Sequence, residues 1–133
     1  MNNPDTPIYL DYNGTTPVAP EVLDAMLPFL REHFGNASST TRLGCIARAA
    51  IEQARAEVAA LIGAQPEEII FTGGGTEASN QAIRGFAAAA PGGRRRIVTS
   101  RVEHPATEMP CCRLEKGGFT VVRIAADSDG GIH

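Results

Sequence analysis

The spacing of apolar residues changes several times along this chain, and each change marks an element. From Pro20, the positions Val22, Met26, Leu27 and Leu30 share one helical face, with Pro20 and Glu21 suited to the first turn. Pro28 is expected to kink that helix or end it early. A stronger helical period runs through Ile46, Ala50, Ala54, Val58, Leu61 and Ile62, and Gly63 stands where a left-handed C-terminal residue is wanted. The hydroxyls from Ser38 to Thr41 are ready to cap this helix. Before both helices, Asn13-Gly14 favours a turn, and Pro17 and Pro20 bar regular helix between them, so residues 1–20 read as an extended arm and a loop.

Beyond Gly63 the pattern shortens. EEIIFT (67–72), RRIVTS (95–100) and FTVVRIA (119–125) read as three short strands. Between them come a helix from about Thr76 to Ala90, stopped by Pro91-Gly92-Gly93, and a helix over TEMPCCRLEK (107–116) despite Pro110. Strands alternating with helices predict an α/β fold with a mostly parallel sheet. At 133 residues with 43% hydrophobic content, one domain core is expected. The closing turn DSDGGIH follows a strand with no helix returning over the sheet, so residues 21–133 read as part of a larger domain and the chain as incomplete.

A net charge of −3 offers no electrostatic case for nucleic acid, and the short run Arg94, Arg95, Arg96 reads as a solvated loop. No stretch of 18 apolar residues and no charged-then-apolar leader is visible, so neither membrane attachment nor secretion is expected, and the default compartment is cytoplasmic. No cluster reads as a metal site. Three cysteines, two of them the neighbours Cys111 and Cys112, imply free thiols rather than a disulfide.

The chemistry concentrates in FTGGGTEASNQAIRGF (71–86), where a strand is expected to become a helix across three glycines. Gly73, Gly74 and Gly75 let backbone N–H groups approach an anion, and Thr76 can add its N–H and hydroxyl from the first turn. Glycine turns also join elements without binding anything. A nucleotide P-loop is disfavoured because Thr76 and Glu77, not a lysine, follow Gly75. A dinucleotide fingerprint survives formally through Gly73, Gly75 and Ala78, with Glu103 as ribose partner, although some seventy residues precede the loop. Glu77 near the anion is unhelpful unless turned away. In VEHPA (102–106), His104 follows the next strand and should stand at the same rim, able to stack on a flat ring or move protons, or simply to cap the next helix.

YLDYNGTTPVAPEVLDAM, FGNASS, EEIIFTGGGTEASNQAI and VEHPA, in this order, resemble the N-terminal part of cysteine desulfurases and selenocysteine lyases, within the class V aminotransferases. The resemblance covers nearly the whole chain, but only about the first third of a family member. It implies the large domain of the pyridoxal-phosphate-dependent transferase fold. It further implies pyridoxal 5′-phosphate as cofactor, and removal of sulfur from L-cysteine to give L-alanine and an enzyme persulfide that serves iron–sulfur cluster assembly. By motif, Gly75 and Thr76 would bind the phosphate, His104 would cover the pyridine ring and assist proton transfer, and Asn13 and Gly14 would border the substrate.

Gly14, Ala37, Gly73 and Thr41 depart from the commonest family residues, and Thr41, where many members have histidine, leaves the subgroup open. The family's Schiff-base lysine, pyridinium-pairing aspartate and sulfur-accepting cysteine lie later in its chain. The sole lysine, Lys116, sits at a helix end, and Cys45, Cys111 and Cys112 match no acceptor position. The resemblance thus implies a homodimer at full length, a sulfur-acceptor protein as partner, and no turnover by these residues alone. Selenocysteine lyase, or another class V lyase or aminotransferase, is the alternative within the family, and a non-catalytic phosphate- or nucleotide-binding module is the alternative outside it.

Overall fold

A computed structural model describes residues 7–132, which fall into two compact units, one ending at Ile69 and the other starting at Ile70. Of the extended arm expected over residues 1–20, the first six lie outside the described residues.

The N-terminal unit contains no strand among the described residues; it is built on two helices, α1 (Pro20–Arg31) and α2 (Arg42–Ile62). Pro20 opens α1 where a missing N–H costs nothing. Pro28 does not end the helix at once: three more residues follow before Glu32 N and His33 N both close on the Pro28 carbonyl. The second helix begins and ends on the expected residues. Thr41 caps it by accepting from Gly44 N at 3.3 Å, and Gly63 ends it at φ 69°, a left-handed conformation that glycine adopts without strain. Gly44 is also required sterically, since a Cβ there would sit 2.6 Å from the carbonyl oxygens of both Asn36 and Ser39.

The C-terminal unit is the α/β part. It runs α3 (Gly75–Ala89), β1 (Arg96–Ser100), α4 (Pro105–Lys116) and β2 (Thr120–Ile124), with β1 and β2 parallel and Val98 opposite Val122. A parallel pair needs a crossover, and α4 supplies it. The fold class is thus as expected, while the number of strands is not. EEIIFT forms no strand: Pro66–Glu68 is a 3-10 turn closed by Gln65 N donating to Glu68 Oε2 at 2.8 Å, and residues 69–72 join no ladder. A strand exists only where a second extended segment pairs with it, and among the described residues the only sheet is the β1–β2 pair, which residues 69–72 do not join. The Arg55 guanidinium of α2 instead donates to the Ile69 carbonyl.

Arg123 fastens β2 to α4. The Arg123 guanidinium reaches Glu108 Oε1 at 2.8 Å and Glu115 Oε2 at 3.2 Å, and its Nη2 donates to Cys112 Sγ at 3.5 Å. Pro110 and Cys111 are fully buried, and Ser100 at the end of β1 is buried.

Candidate functional site

Beyond Thr72 the backbone passes through the three glycines and enters α3 at Gly75. The join is held by its own side chains. Thr72 Oγ1 donates to the Gly74 carbonyl at 3.1 Å, and Glu77 Oε2 accepts from Gly73 N at 2.7 Å. The Glu77 carboxylate is therefore bent back onto the loop's first amide. The amides of Gly75 and Thr76 stand in the first helical turn, where no intrahelical acceptor exists, and no other described residue accepts from them.

Neither backbone strain nor crowding explains the glycines at 74 and 75. Gly74 is extended (φ 161°, ψ 173°), a conformation open to any residue, and a Cβ built on Gly74 or Gly75 meets nothing within 4 Å. The space beside these two glycines is thus left open by the described residues. An anion with several acceptor oxygens suits that combination of free N–H groups, helix dipole and open approach. At Gly73 the equivalent Cβ would press on Glu77 Oε2 at 3.1 Å, so that glycine serves the loop itself.

His104 caps α4. Its Nδ1 accepts from Ala106 N at 3.0 Å, the plainer of the two roles the sequence left open. The bond requires an unprotonated Nδ1 and orients the ring. Pro105 has no N–H, and Thr107 N closes on the His104 carbonyl at 2.8 Å, so the start of α4 is satisfied while that of α3 is open. Glu103, the candidate ribose partner, accepts from the buried Ser100 hydroxyl at 2.7 Å.

The two helix starts are joined by a residue that sequence reasoning did not single out. Asn80, one turn into α3, donates from Nδ2 to the Thr76 carbonyl at 2.9 Å and, over a longer 3.5 Å, to the Ala106 carbonyl of α4. The Ala106 carbonyl is the one that Pro110, lacking an N–H, cannot serve in the i to i−4 pattern. Pro110 thus opens an acceptor, and Asn80 occupies it. An asparagine one turn after the glycine loop, with a mid-helix proline in the next unit, is the sequence trace of this contact.

Gly75, Thr76 and His104 therefore share one unit and neighbouring helix starts. Asn13 and Gly14 belong to the other unit, in a turn closed by Gly14 N on the Asp11 carbonyl at 3.0 Å and on its carboxylate at 3.2 Å. Burial raises the Cys111 thiol above its ordinary pKa, and the hydrogen bond to Glu108 at 3.1 Å raises that of Cys112, so neither is a poised nucleophile. Cys45 is exposed, and all three cysteines are free. Lys116 ends α4, where its charge meets the helix dipole. Among the described residues no His, Cys, Asp and Glu cluster could hold a metal, and no helix is long and apolar enough to cross a membrane.

A parallel strand pair with two packed helices, one bare at its start and its neighbour capped by histidine, defines this unit as α/β. More narrowly, the aminotransferase class-V model matches residues 8–133, and the chain belongs to that family. It is 50% identical over 123 residues to the cysteine desulfurase IscS of Dictyoglomus turgidum, covering 92% of this chain and 31% of that one. It is 55% identical over 125 residues to a cysteine desulfurase of Rhodobacter capsulatus, covering 92% and 32%. A solved structure described as a NifS-like protein superposes with TM-score 0.87 at 36% identity, over 95% of this chain and 34% of that one. Another, described as SspA in complex with cysteine, gives TM-score 0.79 at 38% identity, over 89% and 34%. The chain spans about a third of the length of these relatives.

Proposed function

We infer that the chain carries the phosphate grip and the ring-covering histidine of a pyridoxal 5′-phosphate-dependent cysteine desulfurase. The observation that carries this reading is a helix start whose Gly75 and Thr76 amides meet no acceptor among the described residues and whose Gly74 and Gly75 are uncrowded, beside a helix capped by His104. Those amides and the Thr76 hydroxyl would hold the phosphate. The imidazole, fixed through Nδ1, would lie along the pyridine ring and exchange a proton only at Nε2. When bound, the coenzyme supplies the electron sink for the reaction. In the whole protein the carbon–sulfur bond of L-cysteine breaks and a sulfur–sulfur bond to an acceptor thiol forms, leaving L-alanine and a persulfide.

Relatives named as cysteine desulfurases favour cysteine over selenocysteine as substrate, and cysteine is the molecule named with the SspA structure. Engagement of Glu103 by Ser100 speaks against the dinucleotide module. The assignment of Asn13 and Gly14 to the substrate side rests on the resemblance alone, as do the homodimer, the sulfur-acceptor partner, iron–sulfur cluster assembly and the cytoplasmic location.

Gly75→Pro tests the grip. Proline suits the first helical position, so α3 should persist while one phosphate-facing N–H is lost. Equilibrium dialysis should show the parent chain binding pyridoxal 5′-phosphate in preference to ATP, and the variant binding it roughly tenfold more weakly. Preference for ATP, or a variant that binds as well as the parent, would falsify the reading.

A further inference from the structure

Resting on that reading, we propose that Asn80 is a positioning residue: its side-chain amide, working with Pro110, holds the His104 imidazole in register with the phosphate grip. A continuous path of contacts supports this. The Thr76 carbonyl accepts from Asn80 Nδ2 at 2.9 Å, the Ala106 carbonyl accepts from the same nitrogen at 3.5 Å, and the Ala106 N–H donates to His104 Nδ1 at 3.0 Å. The two hydrogens of one amide suit two carbonyls on two helices, and both carbonyls lie within two residues of a proposed cofactor contact or belong to one.

Pro110 makes the arrangement specific. In an unbroken helix the Ala106 carbonyl would be taken by the N–H of residue 110, and Asn80 would compete with a helical bond for it. Proline removes that donor, and its ring crowds the carbonyl of residue 106 outward. Pro110 is itself fully buried, so the unserved carbonyl is held in place. A helix-breaking residue inside α4 and a helix-neutral asparagine inside α3 thus explain one another.

Two carbonyls face the Asn80 position, so it must donate. Aspartate is isosteric but carries no N–H at neutral pH and sets a negative charge against both oxygens. Alanine removes the group and favours the helix, which guards against a variant that simply fails to fold. Pro110→Ala leaves Asn80 untouched and returns a rival donor to the Ala106 carbonyl.

The test uses the full chain and two probes. Pyridoxine 5′-phosphate has the ring and the phosphate but no aldehyde, so it cannot react with an amine; inorganic phosphate reports the grip alone. Affinities from titration calorimetry give the ratio between the probes, which measures the contribution of the ring. Asn80→Ala and Asn80→Asp should lower that ratio about fivefold while phosphate affinity stays within about twofold, and Pro110→Ala should lower it in the same direction by less. With His104→Ala already present, Asn80→Ala should lower it no further. Nitrogen-15 spectra of the imidazole should show an Nε2-protonated ring in the parent and a mixture of tautomers in Asn80→Ala. An unchanged ratio in Asn80→Ala, or losses that multiply with His104→Ala, overturns the proposal and leaves the reading of the site standing. A parent chain that binds neither probe overturns both.

Discussion

The run Ile69–Thr72 and strand β1 are both short, apolar and preceded by charged residues, yet only β1 lies in a sheet. The difference is not local. β1 finds β2 alongside it, in register from Arg96 opposite Thr120 to Ser100 opposite Ile124. The other run has Ile70 at 64% exposure and no described strand beside it. Helices do not depend on neighbours in this way, because they close their backbone bonds within themselves. The first helix forms with Val22, Met26 and Leu30 exposed, and α2 forms between a threonine cap and a left-handed glycine. Apolar pattern is enough to place a helix, whereas a strand needs a second segment as well.

Proline substitution is the hardest test of that contrast. Thr99→Pro, in the middle of β1, should cost roughly 2–4 kcal/mol by removing a backbone donor and crowding the pair. Ile70→Pro should stay within about 0.5 kcal/mol. Denaturant unfolding of the two variants would measure both, and a comparable loss for Ile70→Pro would mean that the run is held like a strand after all. A smaller effect is expected at the start of α2, where Thr41→Ala removes the acceptor for Gly44 N and should cost about 1 kcal/mol. If α2 amide exchange were unaffected, the cap would not be what sets that helix boundary.

The smallest expected effect concerns acid. The Arg123 hydrogen bond, with that of Cys112, holds the Glu108 carboxyl below its ordinary pKa of 4.5. A group whose folded pKa is depressed stabilises the fold above its unfolded pKa and loses that contribution as pH falls through the lowered value. The fastening of α4 to β2 should therefore be intact at neutral pH and weaken only below 4.5. Arg123→Gln should remove most of this acid dependence, and an unaltered acid profile would assign it to other carboxylates.

What was legible in the sequence follows the same division. The second helix, its Thr41 and Gly63 boundaries, the glycine loop and the helix through Pro110 all rest on neighbours in sequence, and each stands where its residues implied, save that the last helix starts at Pro105, inside the expected turn, rather than at Thr107. The missing strand over 67–72 depends on a partner that no local pattern contains. The bond from Asn80 to Ala106 was likewise hidden, because it requires knowing which carbonyl Pro110 leaves unserved and which helix lies beside it. His104 was legible as two alternatives, and its bond to Ala106 N fixes the orientation that either role would use.

The bond between Glu77 and Gly73 N has a consequence for how anything docks at this loop. A mobile glycine tract has to be frozen on association, and that loss of freedom weakens affinity. Here a side chain of the helix already fastens the tract's first peptide, so an incoming guest meets a receptor whose shape was set during folding.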